Sequence, residues 1–203
     1  MLENVHWLGH ASIKITGKKV VYIDPYQITG GEKADIILIT HDHYDHLSME
    51  DIEKIRSNET VIVVPESASE AIEGEVKTMK PGDRLSLEDV EIQAVPAYNI
   101  DKQFHPREAS HVGYIVKIDG VAYYHAGDTD FIPEMDGIDA DVAFLPVGGT
   151  YTMNAEEAAR AAKALGIKIV VPIHWGAIVG SQTDAEQFGQ MCDCDVRILP
   201  KVG

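Results

Sequence analysis

The apolar positions of this chain change period several times, and each change marks an element. Alternation through Ala11-Ser12-Ile13-Lys14-Ile15, a Gly17-Lys18 turn and then Val20-Val21-Tyr22-Ile23 predict a β-hairpin running into an Asp24-Pro25 turn. Ile36 to Ile39 is an unbroken apolar run, the pattern of a strand covered on both faces. Ser48 then caps a helix with Met49, Ile52 and Ile55 on one side. Val61-Ile62-Val63-Val64 predicts another buried strand, stopped by Pro65. Glu75 to Val95 reads as short antiparallel strands separated by Pro81-Gly82-Asp83. Past a polar loop at 99–110, His111 to Ile118 and Val121 to His125 form a hairpin across Asp119-Gly120.

The last third alternates strand and helix. Val142 to Leu145 leads to a helix capped by Asn154, with Ala155, Ala158, Ala159, Ala162 and Leu165 on one stripe and Gly166 as its stop. Ile169-Val170-Val171 follows and ends at His174, and Thr183 to Glu186 reads as the capping box of a final helix. Strands and helices mixed in each half predict an α+β fold, a four-layer αββα sandwich. The chain has no repeat, linker or low-complexity tract, so residues 1–203 read as one domain.

Directly after the Ile36–Ile39 run comes His41-Asp42-His43-Tyr44-Asp45-His46, three imidazoles and two carboxylates in six positions. A strand followed by a tight loop can aim these side chains at one place, where they suit a divalent first-row metal. So many desolvation-sensitive groups beside a buried strand would be costly without a partner. The pattern H-x-H-x-D-H resembles the signature of the metallo-β-lactamase superfamily. Trp7-Leu8-Gly9-His10-Ala11-Ser12, Ile23-Asp24-Pro25, Ala126-Gly127-Asp128-Thr129 and Pro172-Ile173-His174 follow in that family's order. Together with Gly148-Gly149-Thr150-Tyr151-Thr152-Met153, they resemble its small single-domain branch, which includes the L-ascorbate-6-phosphate lactonase-like metal-dependent hydrolases.

The resemblance implies a binuclear centre along one edge of the sandwich. His41 and His43 correspond to ligands of one ion, Asp45, His46 and His174 to ligands of the other, and Asp128 to the carboxylate between them. The family's remaining histidine normally ends the strand Ala94 to Tyr98, where this chain has Asn99. An amide oxygen is a weaker ligand than imidazole, so His105 in the following loop is a candidate substitute and His111 a poorer one. Asp24 could accept the N–H of a ligand imidazole or only form a turn before Pro25. His10 either orients substrate and protonates a leaving group or is a core histidine, with His105 and Tyr151 as further candidate acids. His6 and His125 read as structural.

The implied activity is hydrolysis of a small ester, lactone or phosphodiester by metal-activated hydroxide, which Asp45 or Asp128 would orient. Zinc is the first expectation for the two ions, with manganese, iron or nickel open. The alternative is a metal-binding sensor or a weakened relative with an incomplete first site.

Composition narrows the setting. A chain of 203 residues, 45% hydrophobic and 25% charged, can bury a core of ordinary size. No apolar stretch approaches the roughly 18 residues that span a membrane, and the first residues lack the basic and apolar regions of a signal peptide. A cytoplasmic protein without a membrane partner is the expectation, with a homo-oligomer left open. A net charge of −16 disfavours nucleic acid, and Lys18-Lys19 reads as a solvated turn. A small-molecule substrate is the expected partner. Cys192 and Cys194 read as free thiols.

Overall fold

Alternation within the strands decides how the layers stack. In the computed structural model, which describes residues 1–203, the first sheet holds β1 (Val5–Gly9), β2 (Ser12–Thr16), β3 (Val20–Ile23), β4 (Ile36–Leu38), β5 (Val61–Pro65) and β6 (Lys77–Met79) in chain order. The second holds β7 (Arg84–Leu87), β8 (Val90–Pro96), β9 (Val112–Ile118), β10 (Val121–His125), β11 (Val142–Pro146), β12 (Ile169–Ile173) and β13 (Asp195–Val196), again side by side in sequence order. Each sheet begins with antiparallel pairs and ends with parallel ones.

Val21, Ile23, Ile36, Leu38 and Val63 face the second sheet in the larger core cluster. Their neighbours Val20, Tyr22, Ile37, Ile62 and Val64 point the other way, into a smaller core with Ile52 and Ile55 of helix α1 (Met49–Ile55). This division explains why β3 to β5 are apolar at every position: both faces are covered. Helices α2 (Ala155–Leu165) and α3 (Gln182–Met191) pack on β11 and β12 of the second sheet, burying Ala158, Ala161, Ala162 and Phe188. The order helix, sheet, sheet, helices is the expected four-layer sandwich.

Four expectations need correction. The segment before β8 is not one antiparallel group: β6 pairs parallel with β5, whereas β7 pairs antiparallel with β8. Pro81-Gly82-Asp83 is therefore where the chain crosses between sheets. On α2 the buried stripe includes Ala161, while Ala159 and Leu165 are only partly buried. The capping box of α3 is Ser181 with Asp184, not Thr183 with Glu186, because the helix starts two residues earlier. Cys192 and Cys194 are joined in a disulfide rather than free. Helix α3 ends at Met191, and the extended backbone of Cys192 brings the two Cα atoms to 5.3 Å, within disulfide reach.

After β13 the chain returns to the first sheet. The amide of Val202 donates to Trp7 O at 2.9 Å, and Trp7 stacks on Trp175 with ring centres 4.4 Å apart. No helix is long and apolar enough to cross a membrane.

Asp51 anchors the loop after β3. Its buried carboxylate accepts from the amides of Gln27 (2.8 Å) and Ile28 (3.1 Å) and from Lys54 Nζ (2.9 Å). Burial alone would raise its pKa, but Lys54, Ser48 and the two amides outweigh burial and hold it below the usual carboxylate range. A depressed folded pKa gives stability that is present above the unfolded value and lost as pH falls through the folded one. Asp51→Ala should therefore cost about 1–3 kcal/mol near neutral pH. In urea titrations the difference from wild type should shrink as pH drops below about 4.

Candidate metal centre

The strands of both sheets that lead into the site end at one edge of the sandwich, and the candidate ligands follow them. Asp24 follows β3, His41 and the loop to His46 follow β4, and Asn99 follows β8. Asp128 follows β10, and His174 directly follows β12. His10 begins the turn between β1 and β2, and its carbonyl accepts the amide of His174 at 2.8 Å, joining the two sheets at the site. His10, Asp24 and His174 all have left-handed backbone (φ 50°, 47° and 59°), a conformation that non-glycine residues adopt rarely and that concentrates at functional sites.

Three groups of donor atoms converge, each with all its members within 4.8 Å of one another. One is His41, His43 and His105, a second is His10, Asp45, His46 and His174, and a third is His41, His46 and Asp128. Asp128 is central to them. Its Oδ2 lies 3.3 Å from His105 Nε2, 3.0 Å from His174 Nε2 and 4.0 Å from His41 Nε2, and its Oδ1 is 3.3 Å from His46 Nε2. All six residues expected as ligands thus stand together, and His105 stands with them.

Hydrogen bonds fix which nitrogen each ring presents. Thr40 Oγ1 donates to Asp24 Oδ2 (2.6 Å), so its lone pair can accept from His41 Nδ1 (2.9 Å). His46 Nδ1 donates to the same Asp24 oxygen at 2.7 Å. The possible turn role of Asp24 therefore gives way to the orienting one. His105 Nδ1 lies 3.2 Å from Asn99 Oδ1, which also accepts the His105 amide at 3.0 Å. Each of these rings is left with Nε2 facing the cluster, the arrangement by which an outer partner orients a metal-binding imidazole.

Asn99 does not face the cluster as a weak ligand. Its amide donates to Asp130 Oδ1 (3.0 Å) and Tyr151 O (2.9 Å) while its oxygen holds the loop that returns His105 to the site. His111 is buried just before β9, with its ring 4.9 Å from that of His41, and belongs to none of the three groups. Its pKa is pushed down to about 4 by burial, with nearby His105 adding to the effect. His125 is structural, its Nε2 donating to Ala11 O at 2.8 Å, and His6 lies away from the site beside Thr16. His10 Nε2 donates to Asp45 Oδ2 at 2.9 Å, and its own carbonyl accepts the Trp7 indole N–H, also at 2.9 Å.

The charge distribution fits a cation. Burial holds His41 well below its usual pKa, so it is a neutral donor. Burial opposes ionisation of Asp128, but His174 and His46 outweigh it and keep this carboxylate ionised. His46 shows the reverse balance: burial disfavours its proton, yet Asp128 and Asp24 raise its pKa well above the ordinary value. His41 Nε2, His46 Nε2, His174 Nε2 and Asp128 Oδ1 are buried without a hydrogen-bond partner, although several lie near one another. Unpaired buried polar atoms are costly, and convergent imidazole and carboxylate donors of this kind suit zinc or a similar divalent ion.

Thr40 and the cradling role of Asn99 escape motif reading, and the Gly148 segment resembles the family without revealing its role, because each acts on another residue's position. Only the Asn99 departure gave a signal.

The chain matches the Beta-lactamase superfamily domain over residues 4–174. It is 34% identical over 195 residues to a UPF0173 metal-dependent hydrolase of Methanoregula boonei, covering 90% of this chain and 86% of that one. Among solved structures it resembles a metal-dependent hydrolase of Parabacteroides distasonis, with a TM-score of 0.87, 37% identity and coverage of 98% and 93%. The metallo hydrolase Igni18 of Ignicoccus hospitalis superposes with a TM-score of 0.81 at 25% identity, covering 98% of this chain and 95% of that one. The chain belongs to the metallo-β-lactamase superfamily, and within it to the UPF0173 metal-dependent hydrolases.

Gly148 supplies the tightest constraint on the site. A Cβ there would meet His174 O at 2.5 Å and His174 Nδ1 at 3.2 Å. Gly148→Ala should displace His174 and weaken metal binding about tenfold or more, read by competition with a chromogenic chelator.

Proposed function

We propose that this chain hydrolyses a small ester, lactone or phosphodiester with two divalent ions, zinc first among them. The observation that carries the proposal is that three donor groups stand together and that Asp128, a member of one, lies within 3.3 Å of His105 and His174 from the other two. His41, His43 and His105 would hold one ion, Asp45, His46 and His174 the other, and Asp128 would lie between them. Such ions supply Lewis acidity and lower the pKa of water toward 7.

The protein's own groups then have separate tasks. Asp24 and Thr40 fix the His41 and His46 rings, and Asn99 fixes His105. Asp45, which accepts from His10, would orient the attacking water. Burial lowers the pKa of His10 despite its bond to Asp45, so near neutrality it is an uncharged donor that positions Asp45. The sensor alternative drew its motive from the missing histidine, and the placement of His105 beside His41 and His43 supports the complete-site reading instead.

Elemental mass spectrometry on tag-free protein purified without added metal tests the proposal. About two ions per chain are expected, falling to about one in His105→Ala. One ion or none after reconstitution of the wild type would overturn it. Asn99→His should not strengthen binding, and Asn99→Ala should weaken one of the two sites about 10–100-fold.

The raised pKa of His46 adds a pH signature. In the metal-free fold His46 keeps its proton near neutrality, and this stabilisation is full below the unfolded pKa and lost as pH rises through the folded one. Metal loading near pH 7 should therefore release about one proton from His46. Calorimetry in buffers of different ionisation enthalpy measures this, and the release should fade at higher pH.

A further inference from the structure

A side-chain amide carries an oxygen and a nitrogen of nearly equal size, so its neighbours decide which end points where. Asn99 is buried just past β8, and four groups meet its amide. The His105 backbone N–H, a fixed donor, lies 3.0 Å from Oδ1. Asp130 Oδ1 and the Tyr151 carbonyl, both acceptors, lie 3.0 Å and 2.9 Å from Nδ2. The fourth group is His105 Nδ1, 3.2 Å from Oδ1, and it alone can take either role.

Asp130 is itself held as an acceptor. Lys102 Nζ donates to its Oδ1 at 2.5 Å and the Ile100 amide to its Oδ2 at 2.8 Å, so both oxygens face donors. The segment is strapped to the end of β8 as well. The Asp130 amide donates to Tyr98 O at 2.9 Å, and the Tyr98 amide to Thr129 Oγ1 at 3.2 Å. Asp130 is buried, and it sits two positions after Asp128 on the loop that follows β10.

Polarity therefore passes from Asp130 to the far side of the His105 ring. An acceptor at Asp130 requires the Asn99 NH2, which turns the Asn99 oxygen toward His105. That oxygen can only accept, so His105 Nδ1 keeps a proton. Nε2, 3.3 Å from Asp128 Oδ2 and 3.2 Å from His43 Nδ1, is then the nitrogen that can offer a lone pair to a metal. A reversed amide would donate to Nδ1, and the ring proton would sit on Nε2 instead, where it blocks a metal.

We propose that Asp130 is a positioning residue for the metal centre: by fixing the direction of the Asn99 amide, it fixes the nitrogen that His105 offers. This rests on the reading of His105 as a ligand of the hydrolase site. Of the three groups that set the amide's direction, Asp130 is the one side chain, and so the one that a substitution can reverse. Lys102 supplies the contrast. Its ammonium bonds Asp130 and lies 4.0 Å from Glu157 in the capping box of α2, so it anchors the loop without setting the amide's direction.

The test compares wild type with Asp130→Asn and Lys102→Gln. Asp130→Asn keeps the side chain's size but replaces one acceptor with an N–H, which must face either the Ile100 amide or the Asn99 and Lys102 donors. Lys102→Gln removes the charged anchor and leaves the acceptor. Long-range 15N–1H NMR on metal-free protein labelled at histidine reports whether His105 Nδ1 is protonated, with His105→Ala assigning the signals. Competition with a chromogenic chelator reports zinc affinity, and circular dichroism confirms folding. Nδ1 should be protonated in wild type and in Lys102→Gln, and should lose much of that proton in Asp130→Asn. Zinc affinity at one site should fall about 10–100-fold in Asp130→Asn and change little in Lys102→Gln.

An unprotonated Nδ1 in the wild type overturns the proposal, and that result does not depend on any variant folding. Unchanged Nδ1 protonation and zinc affinity in Asp130→Asn also overturn it. So do equal losses in both variants, which would make Asp130 and Lys102 anchors of the loop and nothing more. All three results leave the hydrolase reading standing. A wild type that takes up fewer than two ions overturns that reading, and this proposal with it, even where Nδ1 is protonated.

Discussion

Asp24 and Asp128 are carboxylates buried where the two sheets meet, and neither is tolerable there without compensating groups. Asp24 is compensated within the fold: the Thr40 amide, the Thr40 hydroxyl and the His46 ring all donate to it. Asp128 is compensated by imidazoles drawn from three separate segments, at 46, 105 and 174. Its charge therefore couples the ends of β4, β8, β10 and β12 into one arrangement. The left-handed backbones of His10, Asp24 and His174 fit the same account, since their strain persists only where the surroundings over-determine it.

The layers were largely legible in the sequence because burial on one face or two leaves distinct apolar periods. Ile36 to Ile39, Val61 to Val64 and the alanine stripe of α2 show this directly. Pairing partners were harder. Nothing in Glu75 to Val95 distinguishes a strand that joins β5 from one that joins β8, because a short strand's own pattern does not record its neighbour. The start of α3 was displaced because Ser181, Thr183, Asp184 and Glu186 offer two overlapping capping patterns. Spacing and the expected compartment suggest free thiols at Cys192 and Cys194, whereas the extended backbone after α3 brings them within disulfide reach.

The site divides along similar lines. His41 to His46 form a contiguous motif, and Asp128 and His174 follow strands in a familiar order. The role of His105 depends on how a 99–110 loop with no periodicity folds back, and the signal was a negative one, an asparagine where an imidazole was expected. Asn99 itself holds both the backbone and the ring of His105. On the function proposed above, His105 would take the ligand role six positions along the chain, with Asn99 as its support. Thr40 and Gly148 show the remaining limit: one relays a hydrogen bond and the other yields space, and neither function leaves a mark on residue type alone.

The returning C-terminal tail has a consequence beyond the site. β1 borders the first sheet and β13 the second, and a bare sheet border presents unpaired amides and carbonyls to any other chain. Val202 and Lys201 lie against Trp7 and occupy part of the β1 border with this protein's own backbone. The last few residues thus act as a guard against strand-to-strand aggregation. Shortening or displacing them would uncover a template for self-association at the end of the sandwich where the Trp7 indole supports the His10 carbonyl.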